Sequence, residues 1–111
     1  MSTDKNNALE EDKSLYAGLM RLHILHEAEQ QEVCGVWVMD HLRQHGYDIS
    51  PGTLYPMLHG LEKKGYLNST KERVGKTMRR IYAITPEGIS VLGNAKNKVW
   101  ELFGDLFHPH Q

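Results

Sequence analysis

The sequence predicts a mainly α fold with one small β-hairpin, closed by a long C-terminal helix. Three observations carry that prediction. Apolar residues recur at helical spacing in four stretches. Two short extended stretches, about Tyr66–Thr70 and Arg79–Ile84, flank the turn-prone KERVGKTM. Finally, Ser50-Pro51 and Thr85-Pro86 each mark a helix start. A hydroxyl can cap the free N–H groups of a first turn, and proline suits the first helical position because its missing N–H had no partner there.

Taken in order, residues 1–12 are polar and aperiodic and read as a flexible tail. Between Lys13 and Glu29, Leu15, Leu19, Leu22 and Leu25 form a helical stripe that Tyr16, Met20 and Ile24 widen, so this helix is expected to be covered on two sides. A second helix fits residues 34–45, with Val38, Met39 and Leu42 inward and Gly46 as its stop. The third, from Pro51 to its stop at Gly65, turns Leu54, Met57, Leu58 and Leu61 inward. Pro56 lies inside it and removes the bond to the Gly52 carbonyl, which predicts a kinked or tight first turn. The hairpin follows with Gly75 at its tip, and the last helix can run from Pro86 to Phe107.

At 111 residues the chain has room for one modest core. No apolar run approaches the ~20 residues of a membrane span. The start, MSTDKNNALEEDK, has neither the basic nor the apolar part of a signal peptide, so a cytoplasmic protein is expected. One cysteine, Cys34, excludes an internal disulfide and reads as a small buried residue. The net charge of −1 conceals segregation. Residues 50–85 hold seven cations (Lys63, Lys64, Lys71, Arg73, Lys76, Arg79, Arg80) and two acids (Glu62, Glu72), a balance of +5 that leaves −6 elsewhere. A basic third in a near-neutral chain points to a polyanionic partner.

Helices two and three are joined by only Gly46–Ile49, as in a helix-turn-helix, and a hairpin after that unit makes a winged helix. The winged unit is expected to occupy residues 13–85 and the long helix residues 86–107. The outward face of helix three carries Tyr55, His59 and Lys63, with Ser50, Gly52 and Thr53 at its N-terminus. Small residues and free N–H groups there suit a phosphate, while Tyr55 and His59 can reach phosphates or base edges. Lys71, Arg73, Lys76, Arg79 and Arg80 crowd the hairpin and would follow a neighbouring groove. Arg79 and Arg80 alternate along a strand, so one is expected to face DNA and the other to brace the loop or meet an acid.

GTLYPMLHGLEKKGYL, then GKTMRRIYAITPEG, with GVWVMDHLRQHGYDIS upstream, resembles the PadR family of winged-helix transcriptional regulators over about residues 15–107. The resemblance implies a homodimer on an inverted-repeat operator, usually repressing, with the last helix of each subunit against the partner's first helix. It implies DNA contacts at Thr53, Tyr55 and the basic hairpin. The short members with a single C-terminal helix resemble this chain most, and some of these bind flat aromatic compounds between the subunits, using a tryptophan at the position matching Trp100. Ile81 stands where many members have an aromatic residue, and GKTM where a proline is common. Trp37 replaces a usually polar residue and is expected to line a pocket or the dimer contact.

The residues agree with the dimer. Leu92, Val99, Trp100, Phe103, Leu106 and Phe107 are more apolar surface than so small a body can cover. Trp100, Phe103 and Phe107 share a helix face, so with Leu15 and Leu19 they are the expected dimer and ligand surface, taking a planar aromatic or phenolic compound. Two rival readings remain at this point: a metal-sensing repressor and a winged helix that binds only protein. His23 and His26, three apart, and His41 and His45, four apart, could each share a helix face. With no carboxylate or thiolate converging on either pair, they read as ordinary surface or interface histidines, and no metal or other cofactor is assigned. No nucleophile, base and orienting group stand at motif spacing, and no glycine-rich phosphate loop follows a strand, so an enzyme is not expected.

Overall fold

The structure, a computed structural model, describes residues 12–108. The tail expected over residues 1–12 therefore lies, up to position 11, outside the described residues; Asp12 accepts a hydrogen bond from Leu15 N at 3.1 Å and caps the first helix. The elements are α1 (Lys13–Gln30), β1 (Val33–Cys34), α2 (Gly35–Gln44), α3 (Pro51–Lys63), β2 (Leu67–Val74), β3 (Thr77–Ile84) and α4 (Pro86–Phe107). This is the mainly α architecture with a small hairpin that the sequence predicts.

α2 and α3 end alike. Gly46 (φ +92°) and Gly65 (φ +86°) take the left-handed conformation just past each helix. After α2, Gly46 N–H donates to Arg43 O and Tyr47 N–H to Leu42 O; after α3, Gly65 N–H donates to Glu62 O and Tyr66 N–H to Leu61 O. These paired bonds satisfy carbonyls that would otherwise be left at each helix end. Arg43 then donates through Nε and Nη2 to Ile49 O, at 3.1 and 3.0 Å, and holds the α2–α3 connection closed.

Three details differ from expectation. Ser50 is the N-cap of α3, but its side chain makes no capping hydrogen bond. The tight first turn appears instead in the backbone, where Ser50 O accepts from both Thr53 N and Leu54 N, and the helix continues through Pro56. The hairpin strands are longer than the sequence suggests and pair from Leu67↔Ile84 to Val74↔Thr77, leaving only Gly75 and Lys76 as the loop. Gly75 at φ +64° supplies the geometry a two-residue turn needs in its first position. β1, which sequence reasoning missed, pairs antiparallel with β3 and makes a three-stranded sheet of order β1-β3-β2. Two residues are too few to show an alternating pattern.

The core joins Met20, Ile24, Leu25 and Ala28 of α1, Val38 and Leu42 of α2, and Leu54, Met57, Leu58 and Leu61 of α3. Ile49, Leu67, Tyr82 and Leu92 close it. The leucine stripe of α1 is split: Leu25 is buried and Leu22 packs against the core, while Leu15 and Leu19 are exposed. Within this chain the first half of α1 is therefore covered on one side only, through Met20 and Ile24. Thr85, itself buried, donates its hydroxyl to Gly65 O at 2.6 Å and accepts from Gly88 N at 2.9 Å. One side chain thus caps α4 and pins it to the end of α3. No helix among the described residues is long and apolar enough to cross a membrane.

Candidate nucleic-acid interface

α3 buries one face completely, which leaves the other for a partner. Leu54, Met57, Leu58 and Leu61 are in the core, while Ser50, Gly52, Tyr55, His59 and Lys63 are exposed and Thr53 is half-buried. Tyr55, His59 and Lys63 follow one another at four-residue steps, one line down the outer face. This is the face expected from the sequence.

The hairpin brings two of its cations, Arg79 and Arg80, beside Tyr55. A cleft of about 390 Å³ is lined by Gly35, Tyr55, Met78, Arg79, Arg80 and Tyr82, among others. Tyr55 of α3 and both arginines of β3 therefore border one concavity. Lys76 occupies the exposed hairpin tip. The two arginines have different surroundings, as their alternation requires. Arg80 donates through Nη1 to Ser69 Oγ at 2.9 Å, and that hydroxyl donates to Glu62 Oε2 at 2.7 Å. Ser69 N–H adds a bond to the same carboxylate oxygen at 3.1 Å. Glu62 closes α3 against the wing through this chain, and Arg80 is the bracing arginine. Arg79 makes only a long contact, 3.7 Å, from Nη1 to Cys34 Sγ and stays exposed. Cys34 is half-buried rather than fully enclosed.

One contributor was missed. A Cβ at Gly35 would stand 2.5 Å from Tyr55 Cε1 and 2.7 Å from its hydroxyl. With the ring in this position, only glycine fits beneath it at the start of α2. Nothing in GVWVMD signals this, because the contact joins residues twenty apart.

The far end of the chain has a second surface. α4 packs on α1 through its N-terminal half, where Leu92 is buried. Beyond it Trp100 is 75 % exposed, Phe107 64 % and Phe103 47 %. Trp100 and Phe103 stack at 5.9 Å and 6°, and Phe103 meets Phe107 at 5.0 Å. Between α1 and α4 runs an apolar groove of about 480 Å³ whose walls include Leu19, Leu22, His23, Val99, Trp100 and Phe103. Trp37 lies elsewhere, stacked on His41 at 4.9 Å and 12°.

Histidines also converge: the His41 and His45 rings meet at 4.5 Å, as their spacing suggests, but the other pair does not form. His23 leaves His26 and meets His41 and His45 across the α1–α2 contact. Burial first, then the charges of His45 and His41, hold the His23 imidazole below its ordinary pKa. Burial likewise pushes the Tyr82 hydroxyl up.

A helix-turn-helix with an exposed outer face and a basic wing beside it is the arrangement of a winged-helix transcriptional regulator. The sequence model of the transcriptional regulator PadR-like family matches residues 24–94, and the chain belongs to that family. It is 47% identical over 83 residues to the transcriptional regulator Rv3488 of Mycobacterium tuberculosis, covering 75% of this chain and 78% of that one. Its fold is similar to a PadR family transcriptional regulator from Eggerthella lenta, with TM-score 0.77 and 27% identity over 94% of this chain and 89% of that chain. A transcriptional regulator from Clostridium thermocellum gives TM-score 0.72 and 30% identity over 86% and 95%. The protein is thus a DNA-binding regulator and not an enzyme.

Proposed function

We propose that this chain is a cytoplasmic repressor that binds an inverted-repeat operator as a homodimer and is released by a planar aromatic or phenolic effector. The observation that carries the reading is the exposed line Tyr55–His59–Lys63, whose first residue shares a cleft with Arg79, on a helix whose opposite face is buried in the core. Ser50, Gly52 and Thr53 would admit a phosphate to the N-terminus of α3, where unpaired N–H groups favour an anion. Tyr55 and His59 would read base edges or sugar, and Lys63, Lys76 and Arg79 would neutralise phosphates, with Arg80 holding the wing in register.

Residues 13–85 serve as the DNA-binding body and residues 86–107 as the dimerisation helix. The exposed Trp100, Phe103 and Phe107, with Leu15 and Leu19 of α1, form an apolar face that a second copy would cover. A two-fold contact there sets the recognition helices about one DNA turn apart. The groove beside Trp100 then becomes a slot between subunits in which a planar ring can stack.

The decisive experiment is selection of an operator from random DNA, followed by gel-shift titration of operator and scrambled duplex across a range of salt. The regulator reading expects a clear preference for operator at every salt concentration. Equal affinity for both duplexes at all salts would leave only a protein-binding module.

A further inference from the structure

We propose that His23, His41 and His45 form a binding site for a divalent transition ion of the zinc class, clamping α1 to the helix-turn-helix. The candidate ligand nitrogens of these three side chains all lie within 4.8 Å of one another. At zinc–nitrogen distances of about 2.0–2.1 Å, tetrahedral ligands sit roughly 3.4 Å apart, so small side-chain rotations close the set. His41 and His45 come from one face of α2 and its cap, four residues apart, and His23 comes from α1.

The donor chemistry is specific. Neutral imidazoles suit zinc, copper and nickel rather than magnesium or calcium, which prefer oxygen. Glu27, one turn after His23, brings its Oε2 to 3.1 Å from His41 Nε2 and supplies a compensating negative charge. The buried His41 Nε2 has no hydrogen-bond partner among the described residues. A buried polar nitrogen without a hydrogen bond is destabilising, so this position calls for a charged partner, which the Glu27 carboxylate or a bound ion supplies. Trp37 against the His41 ring and Tyr47 against the His23 ring hold the imidazoles in place.

The position gives the ion a lever. α1 packs against α4 and lines the apolar groove, where His23 is shared with the metal set. α2 opens the helix-turn-helix and carries Gly35 beneath Tyr55. Fixing α1 to α2 therefore ties the dimer side of the molecule to the DNA side. This consequence rests on the DNA-binding reading, whereas the site itself does not.

The test uses the full chain, stripped of metal, and titrates Co²⁺ and then Zn²⁺ without DNA. One Co²⁺ per chain with visible d–d bands, displaced by Zn²⁺, is expected, together with a rise in Tm at saturation. His45→Gln and His41→Gln should each weaken binding at least ten-fold and remove the Tm rise. His45 is exposed, so that variant keeps its fold even if His41→Gln does not. His108→Gln/His110→Gln should bind Co²⁺ as the parent does. Binding that survives His41→Gln/His45→Gln, or that vanishes with the terminal pair alone, overturns the site. Separately, a zinc-saturated and a metal-free sample should differ several-fold in operator affinity; identical affinities overturn the clamp's regulatory effect while leaving the site standing.

Discussion

The ring of Tyr55 lies on Gly35 so closely that a methyl group there would stand 2.5 Å from Cε1. α2 thereby sets the position of the first residue in the line down α3's outer face. Gly35→Ala should push the tyrosine aside at little cost to the fold, because the atoms in the way are the far end of an exposed side chain. Operator affinity should fall about as far as in Tyr55→Ala. Since both changes act through one ring, the double variant should lose little more than either single variant, and full additivity would separate the two residues.

Salt dependence tests the wing. If Lys76 and Arg79 each meet a phosphate, Lys76→Ala and Arg79→Ala should each flatten the plot of log affinity against log salt by about 0.9, the slope that one neutralised phosphate contributes. Both should weaken operator and scrambled DNA alike. Arg80→Ala should flatten it less, because that guanidinium is engaged with Ser69. Equal slopes for all three variants and the parent would remove the wing from the interface.

The Ser69 hydroxyl links Arg80 to Glu62 and so joins wing to helix. Ser69→Ala should lower stability by about 1 kcal/mol, the usual loss for one such hydrogen bond, visible as a drop of several degrees in Tm. It should also bring the Arg80→Ala salt slope closer to that of Arg79→Ala.

Assembly can be read by sedimentation. Phe103→Glu places a charge in the middle of the exposed aromatic face, and Leu19→Glu does so on the facing helix. The parent is expected to sediment as a dimer at micromolar concentration, whereas each variant should give a folded monomer and lose operator affinity. A parent chain that sediments as a monomer would refute the dimer.

Tryptophan fluorescence tests the effector. The chain has two tryptophans, Trp37 stacked on His41 and Trp100 at the apolar groove. Planar aromatic or phenolic compounds at micromolar concentration should quench emission in Trp37→Phe and leave Trp100→Phe unchanged. Compounds that quench should also weaken operator binding, by reciprocal coupling. Quenching that persists without Trp100 would reduce the residue to a dimer contact.

What could be read without coordinates was local. Four helices, the hairpin and its glycine tip follow from periodicity, from proline placement and from residues that tolerate positive φ. The outer face of α3 follows as well, because four buried positions at helical spacing leave Tyr55, His59 and Lys63 on the other side. The aromatic face of α4 was legible for the same reason.

Long-range packing decided the rest. β1 exists because Val33 and Cys34 find Tyr82 and Ile81, partners nearly fifty residues away. α1 carries two apolar stripes, and only packing shows that Met20 and Ile24 face the core while Leu15 and Leu19 do not. Arg79 and Arg80 are alike in sequence and separate only once Ser69 and Glu62 come within reach of one of them. The histidines make the point most sharply. Spacing along a helix pairs His23 with His26, yet the approach of α1 to α2 gives His23 its neighbours His41 and His45. A sequence reports which residues share a face, and the crossing of two helices decides which faces meet.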